Sequence, residues 1–219
     1  MTSTLHDPRV MTALDRMYAG AASDGEARRR ARGTAAAWPA TMTAREKSDA
    51  AAEIYMPVAP DSGRLLYTLV RAARPALVVE FGTSFGISTL YLAAAVRDNG
   101  TGRVVTTELS AAKARAARET FAATGLEDVI TLLDGDALQT LADLDTSPGV
   151  VLLDGWKDLC LPVLRLLEPS LEPGALVIAD DIDQEDLRPY LDYVRAPDSG
   201  YVNVTFPDGD EGMEISCRA

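Results

Sequence analysis

The sequence predicts a doubly wound α/β fold: a mostly parallel, seven-stranded sheet, preceded by a helical arm and finished by an antiparallel hairpin. Three observations predict it. From Asp61 onward, short apolar runs alternate with segments of helical period. The runs are continuously apolar, as in Val150-Val151-Leu152-Leu153, the pattern of parallel strands covered on both faces. Near the end, residues 201–206 and 213–217 flank the turn-rich stretch 207–212, a hairpin at or near one sheet edge.

Residues 1–55 read as the arm and residues 56–219 as the main domain. The arm is rich in Ala and Arg and is punctuated by Pro8, Gly20, Gly25, Gly33 and Pro39. Val10, Leu14 and Met17 recur at helical spacing, so residues 8–19 form an amphipathic helix. The basic run Arg28, Arg29, Arg30 and Arg32 reads as a solvated helix face. Residues 43–55 read as another helix, opened by the capping box of Thr43 and Glu46. Such an arm suits a lid or a contact between copies, and it makes a homodimer or larger assembly the expectation. In the main domain a helix over 63–73 stops before Pro75. Strands over 76–81, 103–107, 129–133, 150–153 and 175–179 then alternate with helices over 86–97, 111–124, a short one from about 138, 158–168 and 185–195. No internal repeat interrupts this order.

Composition narrows the function. The chain has 219 residues, 47% hydrophobic and 25% charged, enough to build a sizeable core. Its 21 basic and 33 acidic residues leave a net charge of −12, which repels nucleic acid and anionic membranes and favours a small-molecule partner. Cys160 and Cys217 stand at no metal-ligand spacing and read as buried or half-buried thiols. The one histidine, His6, lies in a terminus expected to fray, so no histidine-based triad or zinc site is expected. No apolar run reaches ~18 residues and the amino terminus is polar, so neither a membrane span nor a signal peptide is expected, and the expected compartment is cytoplasmic.

In an open α/β sheet the ligand lies beyond the carboxyl ends of the strands. The first strand ends Val79-Glu80-Phe81-Gly82-Thr83-Ser84-Phe85-Gly86. Its two glycines let the backbone approach a ligand, but the pyrophosphate-binding G-x-G pair is missing. Glu80 near that turn suits an ammonium group rather than phosphates. Glu108, ending the second strand, can accept hydrogen bonds from two ribose hydroxyls. After the third strand, Asp136 can accept from an adenine amino group. Carboxylates after three successive strands describe a strip for an adenosine that lacks phosphates and carries an amino-acid tail, S-adenosylmethionine.

The next two strands end Leu153-Asp154-Gly155-Trp156-Lys157-Asp158 and Ala179-Asp180-Asp181. Adjacent strand ends lie about 5 Å apart, so Asp154, Asp180 and Asp181 can converge. A bound cation would relieve their repulsion, and ligation by oxygen alone suits Mg²⁺ first, with Mn²⁺ or Ca²⁺ as alternatives. Lys157 opens a helix, where the macrodipole disfavours a cation. Desolvated beside a metal, its pKa would fall and it could act as general base.

The stretch from Tyr55 to Asp181 resembles the catechol and caffeoyl-CoA O-methyltransferases, metal-dependent members of class I with a Rossmann-like sheet. The resemblance is carried by five motifs in order. Met56-Pro57-Val58-Ala59-Pro60-Asp61 is similar to the family's loop before its first long helix, and implies that Val58 touches the cofactor. The first-strand motif implies that Glu80, Gly82 and Ser88 handle the methionine part, with Thr83 and Ser84 in the same cofactor turn. Glu108 matches the ribose acid, and Asp136 with Ala137 the adenine loop. The Asp154-to-Asp158 segment implies a metal ligand that also borders the cofactor (Asp154), an aromatic wall (Trp156) and a catalytic lysine (Lys157). The chain departs from the family in carrying Asp180-Asp181 where Asp-Asn is usual, and Cys160 where Tyr is usual. Asp208, Asp210, Glu211 and Glu214 are candidate acceptors for a second substrate hydroxyl. The resemblance implies transfer of a methyl group from S-adenosylmethionine to a hydroxyl of a small catechol-like or vicinal-diol acceptor, with divalent metal assistance. The alternative is a metal-independent C- or N-methyltransferase of specialised metabolism.

Overall fold

The computed structural model describes residues 3–33, 38–39, 41–208 and 211–219. Seven strands form one sheet in the order β3-β2-β1-β4-β5-β7-β6. These are β1 (Leu77–Phe81), β2 (Arg103–Glu108), β3 (Ile130–Asp134), β4 (Val150–Leu153), β5 (Leu176–Ala179), β6 (Tyr201–Asp208) and β7 (Glu211–Arg218). The first five are parallel. β7 runs against β5, and β6 runs against β7 at the edge. The hairpin therefore closes the sheet as expected, with longer arms than the sequence pattern marks.

The helices are α1 (Pro8–Ala21), α2 (Asp24–Arg32), α3 (Ala44–Ala50), α4 (Pro60–Ala73), α5 (Ile87–Asn99), α6 (Ala111–Thr124), α7 (Ala137–Thr140), α8 (Cys160–Leu167) and α9 (Arg188–Arg195). Successive strand residues point to opposite faces, so the sheet has two cores. On one face, Val78, Val104, Val150 and Leu152 meet α1, α4, α5 and α6 through Leu14, Met17, Leu66, Leu90 and Phe121. On the other, Val79, Val105, Val151 and Leu153 meet α7, α8 and α9 through Leu141, Leu164 and Leu191. α5 is the innermost helix: every residue from Ile87 to Val96 is buried.

Three expectations change. The helix expected over 43–55 stops at Ala50, because both oxygens of Asp24 accept from the backbone N–H groups of Tyr55 and Met56 (2.8 Å each) and Pro57 disfavours helical backbone before it. The terminus around His6 is tied down rather than frayed: Thr4 N and Oγ1 and Ser3 Oγ donate to Asp98. The basic run is only half solvated. Arg29 and Arg30 are exposed, whereas Arg28 and Arg32 are half-buried and face a cavity. The apolar stripe of α1, Val10, Leu14 and Met17, is buried within the chain. Among the described residues, no helix is long and apolar enough to cross a membrane.

Candidate active site

A cavity of about 1080 Å³ lies beyond the carboxyl ends of β1, β2, β4 and β5, between the sheet and the arm. Backbone geometry builds its first turn. Gly82 N and Thr83 N both donate to Thr107 O (3.3 and 3.0 Å), which hooks the turn onto β2. Gly82 has φ +104°, and a Cβ there would lie 2.6 Å from Asp154 O, so the turn can approach the loop after β4 only with glycine at this position. Ser84, Met56 and Asp181 also have left-handed backbone (φ 49°, 47° and 58°) without being glycine. They are three of the four such residues among those described, and all three line the cavity. Backbone strain of this kind concentrates where function over-determines conformation.

Most of the expected nucleoside residues line this cavity: Val58, Gly82, Thr83, Ser84, Ser88, Glu108, Asp136, Ala137 and Trp156. Glu108 is held from two sides, accepting from Ser84 N at 2.8 Å and Ser110 N at 2.7 Å. Burial keeps its pKa above the usual carboxylate range in spite of these bonds and the nearby Lys113. Asp136 caps α7 by accepting from Leu138 N at 2.9 Å. Glu80 departs from expectation, for it lies beneath the wall and not on it. Its Oε1 accepts from Ser88 Oγ (2.6 Å), and its Oε2 from Thr89 Oγ1 and Thr106 Oγ1 (2.5 Å each). It reaches the cavity through Ser88, and complete burial pushes its pKa up to about 7.

The register pairing Leu153 with Ala179 sets the following residues, Asp154 and Asp180, side by side. Asp154, Asp180 and Asp181 each bring one oxygen within 4.8 Å of the others. Lys157 Nζ lies 2.9 Å from Asp154 Oδ1 and 3.0 Å from Asp181 Oδ2. Burial raises the pKa of both Asp154 and Asp180, and their repulsion of neighbouring carboxylates adds to it. For Lys157, burial works downward, but Asp154 and Asp181 together outweigh it and hold the ammonium above its ordinary value. Lys157 thus bridges two carboxylates that favour its charged form, an arrangement without a cation and therefore different from the metal-bound one in which a depressed pKa is expected. Three oxygen donors on neighbouring strand ends, with no imidazole or thiolate, fit a hard divalent ion. The ammonium already offsets part of their charge.

The arm supplies the opposite wall. Trp156 Nε1 donates to Ser48 Oγ of α3 at 2.8 Å, and Trp38 meets the Trp156 ring edge-on at 6.2 Å between centroids. Lys47 Nζ lies 5.7 Å from the Trp156 centroid and 3.5 Å from Asp158 Oδ2. Cys160, where the family usually has Tyr, is buried beneath with its thiol pushed up to about 12. Of the candidate acids near the hairpin, Glu211 lines the cavity. Asp208 instead accepts from Ser62 Oγ, and Glu214 binds Arg195 (2.7 and 2.8 Å). Asp210 lies outside the described residues. Sequence reasoning missed Lys113, Arg28, Trp38 and Ser48. Only Lys113 carried a signal, a lysine in the first turn of a helix directly after the ribose acid.

A family model described as a methyltransferase domain matches residues 79–182. Catechol O-methyltransferase B of Danio rerio is 31% identical over 147 residues, covering 64% of this chain and 55% of that protein. The chain thus spans little more than half the length of this relative. Catechol O-methyltransferase of Sus scrofa is 30% identical over 148 residues, covering 64% of this chain and 78% of that protein. Among solved structures, the O-methyltransferase from Bacillus cereus in complex with SAH superposes with a TM-score of 0.65 at 21% identity, over 92% of this chain and 99% of that one, and shares the fold. Identity near 30% across more than three quarters of a catechol O-methyltransferase, on a sheet of the same architecture, makes this chain a member of that enzyme's family, the class I S-adenosylmethionine-dependent O-methyltransferases.

Proposed function

We propose that the chain transfers the methyl group of S-adenosylmethionine to a hydroxyl of a small catechol-like or vicinal-diol acceptor, with a divalent cation, Mg²⁺ first, assisting. One observation carries the proposal: a cluster of three aspartates and Lys157 shares a single cavity with Glu108 and the Asp136 turn. Bound S-adenosylmethionine supplies an electrophilic methyl on a sulfonium. A bound divalent ion supplies charge that lowers the pKa of a hydroxyl and fixes its direction. The residues of the chain do the rest. Glu108 and Asp136 orient the nucleoside, and Ser88 with Glu80 beneath it serves the methionine end. Asp154, Asp180 and Asp181 hold the cation. A cation held there would offset the carboxylates that keep Lys157 protonated, so that burial would favour the free amine, which would take the proton from the acceptor hydroxyl at Nζ. The acceptor oxygen attacks in line with the breaking C–S bond, so the rate depends on positioning. Trp156, Trp38 and Glu211 border the acceptor's place. In the arm, residues 1–55, it is α2 and α3 that serve as a lid over the domain of residues 56–219, in a protein that works in the cytoplasm.

The test is methyl transfer to a catechol by the purified chain, before and after EDTA and again with Mg²⁺ restored. Loss of transfer with EDTA and its return with Mg²⁺ is the expected outcome. Undiminished transfer after EDTA would remove the cation from the proposal while keeping the methyltransferase. Transfer only to an amine or a ring carbon would favour the metal-independent alternative.

A further inference from the structure

Lys113 is a buried charge that this chemistry does not use. It is the third residue of α6, where the helix macrodipole opposes a cation, and it is 3% exposed. Among the described residues no carboxylate oxygen lies within 4.0 Å of its Nζ. Among the described residues its Nζ donates only to Ser84 Oγ, at 3.1 Å, and it lies 5.5 Å from the Phe85 ring centroid. An ammonium has three N–H groups, so two have no acceptor among the described residues, and the side chain lines the cavity. Burying a charge with so few partners is costly unless something else engages it. The groups around it are Glu108 from β2, Asp24 and Arg28 from α2, and Asp154 after β4; burial leaves its pKa depressed to about 8.

Ser84 links this lysine to Glu108. Its backbone N–H donates to Glu108 Oε2 while its Oγ accepts from Lys113. The carboxylate and the ammonium therefore flank one residue of the cofactor turn, and both border the cavity. A carboxylate can only accept and an ammonium can only donate, whereas a hydroxyl does both. A sugar hydroxyl that gives its proton to Glu108 keeps lone pairs for an ammonium.

We propose that Lys113 is a cofactor-binding residue whose ammonium donates to a ribose hydroxyl that at the same time donates to Glu108, so that the diol is held between an acceptor and a donor. This rests on Glu108 being the ribose acid of an S-adenosylmethionine site. It assigns the fixed lysine of α6 to recognition of the sugar.

The experiment is calorimetric titration of S-adenosylhomocysteine, its 2′-deoxy and 3′-deoxy forms, and its decarboxylated form, into the intact chain and Lys113→Met. The variant removes a buried charge and keeps the length, so without ligand it should melt no lower than the parent. With ligand it should bind S-adenosylhomocysteine about tenfold or more weakly, the loss of a hydrogen bond to a charged group. One deoxy form should lose clearly more affinity for the parent than for the variant, in which only the bond to Glu108 is left to lose. Equal affinity of parent and variant would overturn the proposal. So would a variant that discriminates against both deoxy forms as strongly as the parent, which would mark Lys113 as merely structural. A loss that vanishes with the decarboxylated ligand would reassign the lysine to the methionine carboxylate and also overturn it. If Lys113→Met does not fold, Lys113→Gln carries the same comparison. Failure of the parent to bind S-adenosylhomocysteine at all would instead strike the cofactor assignment on which the proposal stands.

Discussion

Glu80 shows how one residue can trade stability for binding. It is fully buried, its two oxygens accept three hydroxyls, and its pKa rises from 4.5 to about 7 because burial penalises the charge. The native state therefore holds a proton that the unfolded chain has released between about pH 4.5 and 7. Stability falls as pH rises through that window and is flat above it. A shift of this size corresponds to something on the order of 3 kcal/mol. Glu80→Gln keeps the shape and removes the titration. Thermal melts from pH 5 to 8 should show the variant gaining on the parent as pH rises, and at pH 8, where the parent's Glu80 is ionised, the variant should bind S-adenosylhomocysteine more weakly, because no carboxylate beneath Ser88 favours its ammonium. A constant difference between the two melting curves across that range would refute the buried titration. Asp154 and Asp180 are raised in the same direction, so it is the comparison with the variant, not the parent's curve alone, that isolates Glu80.

At the scale of elements, α1 joins the domain through the apolar core, whereas α2 and α3 are held by polar contacts. Asp24 of α2 accepts from Tyr55 N and Met56 N, Ser48 of α3 accepts from Trp156, and Ser84 Oγ donates to Tyr55 O at 2.7 Å. Asp24→Ala removes two charge-assisted bonds, each worth about 1.5–3 kcal/mol. Hydrogen exchange at Tyr55 and Met56 should speed up by at least about tenfold while the amides of β1 stay protected. Unchanged protection at residues 55 and 56 would mean that something other than Asp24 holds the arm. The same contacts explain what the sequence concealed. Strands β1 to β5 were legible because continuous apolar runs such as Leu77-Val78-Val79 have only one good use in an α/β chain. The convergence of Asp154 and Asp180 was legible too, because it follows from register. Asp24, Trp38 and Ser48 were not, because each acts through a tertiary partner at least 31 residues away that leaves no local pattern. Glu80 was read correctly as a carboxylate at the right strand end, but its depth below Ser88 depends on Thr89 and Thr106, which only packing brings together.

On the scale of the whole molecule, the cavity is the seam between the arm and the sheet. Its walls come from α2, α3, the turns after β1, β2, β3, β4 and β5, and the start of β7. A ligand there touches almost every layer, so its binding free energy should stabilise the chain as one unit. The small third core, where Ala27, Ala51 and Ile54 pack with Trp38, Met56 and Trp156, couples the arm to the loop that bears Lys157. A ligand at a hundred times its dissociation constant adds about 2.7 kcal/mol to folding stability. For a chain of this size that is a rise of roughly 5–10 °C in Tm. Calorimetry with saturating S-adenosylhomocysteine should show one transition moved upward by that amount. Glu108→Gln should lose most of the shift while keeping its own unliganded Tm within a few degrees. Two transitions, with only the later one responding, would mean that the arm folds apart from the domain and is not a wall of the cofactor site. A single transition that fails to move at all would remove the nucleoside from the cavity altogether.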